Sequence, residues 1–239
     1  MSHVFYSMGT AISLAGDLPA GATDQVEAVF AELERRYSLY RPESEASQIA
    51  RRELLLADAS EEMRDTYTLA MNWRAQTDGA FTPNRPDGVI DLAGVVKAIA
   101  IERAGEALDA CGSAHWCLNA GGDILTRTGE GRDPWVIGVV DPDDRSQLLT
   151  QFTADDKMRA FATSGITERG EHIWRVGVDD TFVQVSVAAP DIVTADVLAT
   201  AIVGGGAGML DKALKVWPLE VIACARTGEY KVTPAFLAA

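Results

Sequence analysis

Asp196 and Thr200 stand four residues apart in Ala195-Asp196-Val197-Leu198-Ala199-Thr200, so on a helix they share one face and offer two hard oxygens to a cation. Magnesium takes a few protein oxygens in an octahedral shell completed by water and phosphate, and this pair plus a backbone carbonyl would suit it. The plainer reading has Thr200 bonding back into its helix and Asp196 favouring the helix start.

Three further segments carry phosphate chemistry. Asp91-Leu92-Ala93-Gly94-Val95-Val96-Lys97 places a carboxylate, a glycine and a lysine around a helix start, where free N–H groups attract anions. Asn119-Ala120-Gly121-Gly122-Asp123 runs a strand end into a double glycine that lets backbone approach a flat or phosphorylated ligand. Ala162-Thr163-Ser164-Gly165 adds two hydroxyls and a flexible residue. Taken singly, each also reads as an ordinary cap or turn. His172, within Thr167-Glu168-Arg169-Gly170-Glu171-His172, could act as a general base or be a surface histidine. Cys111, His115 and Cys117 lie close together but lack the fourth ligand of a structural zinc site, and the three cysteines suggest no disulfide framework.

The elements that must position these residues follow from apolar spacing. Val4 to Leu14 reads as a strand, turning between Gly16 and Gly21. Helices are predicted over Asp24 to Tyr37 with an Asp24/Glu27 capping box, over Glu61 to Gln76 with Ser60 as N-cap, and over about Gly94 to Leu108. The second half reads mostly as strands: Trp116 to Asn119, Trp135 to Val140, Gln147 to Phe152, Met158 to Ala162, Thr181 to Ala188 and Leu219 to Cys224, with a helix from about Ala195. Strands and helices come in blocks, which favours α+β over a doubly wound parallel sheet, and 239 residues suffice for one domain spanning 1–239.

The formal net charge of −14 argues against nucleic acid or an anionic membrane as partner. It also means that a phosphorylated ligand must be met by concentrated local positive potential. Met1 to Leu14 has no basic n-region, signal-length apolar run or lipidation cysteine, and no later stretch reads as membrane-spanning, so the expected location is cytoplasmic.

In order, the motifs resemble the ApbE family of flavin transferases from nearly one end of the chain to the other. The match begins at Met8-Gly9-Thr10 and runs through Ser38-Leu39-Tyr40-Arg41-Pro42-Glu43-Ser44-Glu45-Ala46-Ser47 and Gly79-Ala80-Phe81. It continues through Asp91 to Lys97, Asn119 to Asp123, Trp135 to Pro142, Ala162 to Gly165, His172-Ile173 and Asp196 to Thr200. The resemblance implies an α+β, T-fold-type architecture, rich in antiparallel sheet with packed helices, and an FAD cleft between two merged halves. It implies FAD contacts from Met8, from Tyr40 stacking on the isoalloxazine, and from Ser44 and Glu45. Asp91, Lys97, Asn119, Gly121, Gly122, Asp123, Thr163, Ser164 and Gly165 are the further FAD-binding candidates. Magnesium would be held at the pyrophosphate by Asp196, Thr200 and a backbone carbonyl at Val95 or Val96. The implied activity is transfer of FMN from FAD to a threonine or serine hydroxyl of an acceptor protein, with release of AMP, His172 as base and Lys97 neutralising charge.

Several residues depart from the family pattern. Phe81-Thr82-Pro83-Asn84 stands for Phe-Asp-Pro-Thr, Lys97-Ala98 for Lys-Gly, and His172-Ile173 runs into Trp174-Arg175-Val176-Gly177 where an aspartate and a proline are usual. Two alternatives therefore stay open: hydrolysis of FAD to FMN and AMP, and flavin binding without catalysis.

Overall fold

The computed structural model describes residues 2–165 and 181–237. Its ten strands are β1 (Ser2–Ser7), β2 (Thr10–Gly16), β3 (Trp116–Ala120), β4 (Asp123–Arg127), β5 (Val136–Val140), β6 (Leu148–Thr153), β7 (Ala160–Gly165), β8 (Phe182–Ala189), β9 (Glu220–Ala225) and β10 (Tyr230–Val232). Its α-helices are α1 (Ala22–Tyr37), α2 (Glu45–Ala50), α3 (Glu61–Gln76), α4 (Ala93–Ala110) and α5 (Ile192–Val216). Eight strands form one antiparallel sheet in the order β1-β2-β3-β4-β7-β8-β9-β10, and β5 and β6 form a separate hairpin. This is the α+β arrangement that the block pattern predicts.

Period-two burial decides which face each side chain serves. Leu14, Leu118, Leu125, Val185 and Val187 join the main core with Phe30 and Leu33 of α1, Ile101 and Leu108 of α4, and Leu198 and Ile202 of α5. On the opposite face, Ile137, Val139 and Phe152 of the β5–β6 hairpin pack on Phe161, Ala188, Ile222 and Phe236. Helices thus cover one face of the sheet and the hairpin covers part of the other.

Three expectations need correction. The span Val4 to Leu14 is two strands, because Met8 (φ 51°) and Gly9 (φ 72°) form a two-residue turn between the paired Ser7 and Thr10. The Asp24/Glu27 box does not cap α1: the helix starts two residues earlier, on Gly21 at φ 82°, without a side-chain cap bond. And α5 does reach membrane-spanning length and apolarity, but most of that stretch is buried against β7, β8 and α4, as expected of a core helix.

The pairings bring the candidate motifs to one end of the sheet. The Met8–Gly9 and Gly121–Gly122 turns lie there with the end of β7 and the start of β8. From the helical layer, α4 enters with its N-terminus, and α5 arrives at Thr200 and then bends at Gly206 (φ 62°, ψ −150°).

Candidate functional site

Strand alternation splits the site between the two faces of the sheet. Ile124 pairs with Phe161 on the hairpin side, so its neighbour Asp123 points into the helical layer. There Asp123 is fully buried and ion-paired with Lys97 of α4, while its Oδ1 accepts from the Thr163 amide at 3.3 Å. Lys97 is not a solvated surface lysine: its side chain is only 16% exposed. One residue further along β7, Ser164 Oγ and Thr200 Oγ1 share a 2.9 Å hydrogen bond. Asp196 lies one helical turn before the half-buried Thr200 and is itself buried in α5.

The start of α4 is fixed by local chemistry. Leu92 occupies the N-cap, and Asp91 Oδ1 accepts from the Ala93 amide at 3.0 Å. Asp91 thus satisfies one helix-terminal donor, as the plainer reading holds. Phe81 packs on Gly94 so closely that a Cβ there would meet its ring at 2.9 Å. Thr77 Oγ1 holds this loop by accepting from the Phe81 amide at 3.2 Å and donating to the Trp73 carbonyl at 2.8 Å.

On the hairpin side the same sheet end opens into a cleft of about 600 Å³, within the range of small-molecule sites. Gly9, Thr10, Asn119, Gly121, Gly122 and Thr163 line one wall, and Val140, Asp141, Pro142 and Arg145 line the other. Asn119 Oδ1 accepts from the Gly122 amide at 2.9 Å, locking the turn. Gly121 (φ 64°) sits where a Cβ would be 2.4 Å from Thr10 Oγ1, so both conformation and space call for glycine. Thr163 Oγ1 bonds Ser186 Oγ at 2.7 Å, and Gln184 donates to the Val140 carbonyl at 2.9 Å, tying the hairpin to the sheet beside the cleft.

The ordered motifs Met8 to Gly9, Asp91 to Lys97, Asn119 to Asp123, Thr163 to Gly165 and Asp196 to Thr200 therefore converge. A sequence profile described as the ApbE family matches residues 8–87 and 83–222. The chain belongs to the ApbE family. No curated protein sequence matches it significantly.

Solved ApbE structures share its fold at low identity. The ApbE protein of Thermotoga maritima is 19% identical, with a TM-score of 0.82 over 100% of this chain and 98% of that one. The Pseudomonas stutzeri flavinyl transferase ApbE, in its apo form, is 19% identical with a TM-score of 0.79, covering 99% and 95%. The Vibrio cholerae flavin transferase ApbE is 18% identical with a TM-score of 0.76, covering 100% and 98%.

Other candidates of this ApbE chain fall in different places. Tyr40 is 94% exposed on the turn after α1. Ser44 is buried, donates to the Ser38 carbonyl at 2.5 Å and caps α2 by accepting from Ser47 N. Glu45 accepts from the Ser60 amide and from Ser60 Oγ, so both residues brace the 38–60 segment. Val96 lies in the first turns of α4, where its carbonyl serves the helical ladder and keeps one lone pair for another partner. Gly165 closes β7, and His172 lies outside the described residues.

His115 stacks on Trp135 with 4.5 Å between ring centroids, and its Nδ1 accepts from Gly129 N at 3.3 Å. Burial pushes the Cys117 thiol up to about 11. Sequence reasoning passed over Arg145 and Gln184, whose place at the cleft depends on the hairpin folding over the sheet. Thr10 carried a signal, the Met8-Gly9-Thr10 triplet.

Proposed function

We propose that this chain, as one domain over 1–239, is an FAD:protein FMN transferase that works with magnesium. The observation that carries the reading is the single polar chain Lys97–Asp123–Thr163 beside Ser164–Thr200, set at the sheet end that opens into the glycine-walled cleft. It gives an acidic molecule a place for a diphosphate: helix-start amides, open glycine backbone, a lysine and hydroxyls.

The donor chemistry fits magnesium. Among the described residues no group of three His, Cys, Asp or Glu could form an all-protein cage. Asp196 and Thr200 instead offer two oxygens one turn apart, the partial set that magnesium completes with phosphate and water. Asp196, Thr200 and the Val96 carbonyl would hold the ion, which when bound neutralises diphosphate charge and polarises the reacting phosphorus.

The chain's own residues would bind and orient. Asn119, Gly121 and Gly122 accept the flat or phosphorylated ligand against backbone, and Thr163 and Ser164 position phosphoryl oxygens. Lys97, held by Asp123, presents positive charge towards the same oxygens. The acceptor hydroxyl then attacks the FMN-side phosphorus, forming a new P–O bond. The bridging P–O bond breaks, its electron pair leaves with AMP, and the hydroxyl proton passes to His172.

The test is mass spectrometry after incubating the protein with FAD, magnesium and a library of short peptides with one fixed central threonine. FMN-bearing peptides and AMP in equal amounts are expected. AMP with free FMN and no peptide adduct would replace transfer by hydrolysis. Calorimetry showing no FAD uptake with or without magnesium would remove the reading altogether.

A further inference from the structure

β1 and β10 are the two edges of the main sheet, and they are built differently. β10 is three residues long with Lys231 at its centre, a short charged edge of the kind that discourages pairing. β1 is six residues long, Ser2-His3-Val4-Phe5-Tyr6-Ser7, with an unbroken register to β2 and no proline. From Ser2 to Gly16 there is no Asp, Glu, Lys or Arg, in a chain with 21 basic and 35 acidic residues. Val4 is 58% and Tyr6 82% exposed, whereas Phe5 packs edge-on against Phe30 of α1. An uncharged, regular edge with exposed apolar side chains has the form of a strand-pairing site.

The turn fixes which backbone groups are on offer. Ser7 and Thr10 flank a two-residue loop and so make the closing hydrogen-bonded pair. By alternation Phe5 and His3 also bond to β2, and the N–H and C=O groups of Val4 and Tyr6 point to the open edge. β1 leads straight into Met8–Gly9, and Gly9 and Thr10 line the cleft. A strand laid beside β1 therefore runs up to the cleft mouth.

We infer that the β1 edge is the docking site for an extended segment of the acceptor polypeptide, which adds as a ninth strand and carries its hydroxyl into the cleft. This rests on the transferase reading. The reaction needs a peptide hydroxyl at the cleft, and β1 is the sheet edge that ends there. Main-chain bonds supply affinity that tolerates varied sequence, and Val4 and Tyr6 provide apolar contact for alternate side chains. On the helical side α1 braces this edge, where Glu27 meets His3 at 2.6 Å and Glu34 accepts from Ser7 Oγ at 2.6 Å, so the apolar contacts on offer lie on the opposite side, at Val4 and Tyr6.

Val4→Pro and Tyr6→Pro each delete one outward N–H without removing a bond to β2. Tyr6→Lys keeps the backbone and adds an edge-protecting charge. Each variant is checked for folding by thermal unfolding and for FAD affinity by fluorescence titration. FMN incorporation into the fixed-threonine peptide library is then measured. We expect about tenfold less incorporation in the folded variants, the effect of losing one or two backbone bonds and their contacts, with FAD affinity unchanged. Full incorporation in folded Tyr6→Lys and Val4→Pro would overturn the proposal. So would a wild-type dimer in light scattering that these substitutions convert to monomer, because the edge would then pair with a second copy. Failure of the transferase reading shows instead in the wild type, as no FMN on any peptide, and the docking proposal falls with it.

Discussion

Lys97 of α4 and Asp123 at the start of β4 form an ion pair whose carboxylate has no exposed surface, and the same carboxylate accepts from the Thr163 amide of β7. One buried charge thus joins the helix that begins with Asp91-Leu92-Ala93-Gly94 to two strands ending at the cleft. In Lys97 a structural duty meets the proposed ligand-binding one, and the two separate by experiment.

Lys97→Met leaves Asp123 buried without its cation, which costs about 3–5 kcal/mol. Urea unfolding should show that loss, and adding Asp123→Asn should restore most of the stability, since a neutral amide needs no counter-charge. FAD affinity should stay low in the double variant, while riboflavin affinity is hardly changed, because the lysine's proposed ligand partner is phosphate. Full recovery of FAD affinity would confine Lys97 to holding Asp123.

What the sequence shows plainly is local. Helix α3 is legible at both ends because Ser60 caps it through its own side chain, accepting from Met63 N at 3.2 Å, and Gly79 ends its C-terminal turn at φ 83°. The β1–β2 turn is hidden because Met8 takes a left-handed conformation that Asn or Asp would advertise. β4 is hidden because Asp123 to Arg127 is short and begins inside the glycine motif. The site motifs are readable as contiguous strings. The Lys97–Asp123 and Ser164–Thr200 contacts are not, since each joins separate elements that only the fold brings together.

Gly121→Ala should destabilise the protein by about 2–4 kcal/mol, from a left-handed backbone and overlap with Thr10. Gly122→Ala, at φ 96° with no atom within 4 Å of the added carbon, meets only the backbone penalty of about 1–2 kcal/mol. Its methyl group would stand in the space proposed for the ligand. Thermal unfolding should therefore rank Gly121→Ala as the less stable, and fluorescence titration should rank Gly122→Ala as the poorer FAD binder relative to its stability.

Cys224 gives a pH signature unconnected with catalysis. Burial, reinforced by the charges of Asp141 and Asp143, pushes its thiol from 9.0 up to about 12. The folded state therefore holds the proton more tightly than the unfolded chain does. That stability is complete below pH 9 and is lost as pH rises towards 12, at up to about 1.4 kcal/mol per pH unit. Urea unfolding across this range should show the decline, shallower in Cys224→Ala. Cys117, raised from 9.0 to about 11, should add a smaller decline that begins at the same pH and levels off sooner.

The metal assignment is tested on α5, where one hydroxyl carries both a structural bond and a proposed ligand role, each with its own readout. Thr200→Val keeps the shape but removes the 2.9 Å bond to Ser164 and the proposed ligand oxygen, whereas Thr200→Ser keeps both. Urea unfolding should show about 1 kcal/mol lost in the valine variant and little in the serine variant. Calorimetry of FAD binding, with and without magnesium, should show the magnesium-dependent gain in wild type and Thr200→Ser and its loss in Thr200→Val. Asp196→Asn retains the side chain's size in its buried place but removes the negative charge that a divalent cation requires, so it should abolish that gain as well. Equal magnesium dependence in Asp196→Asn and wild type would move the cation away from α5 and leave the Ser164–Thr200 bond as a purely structural link between β7 and its helix.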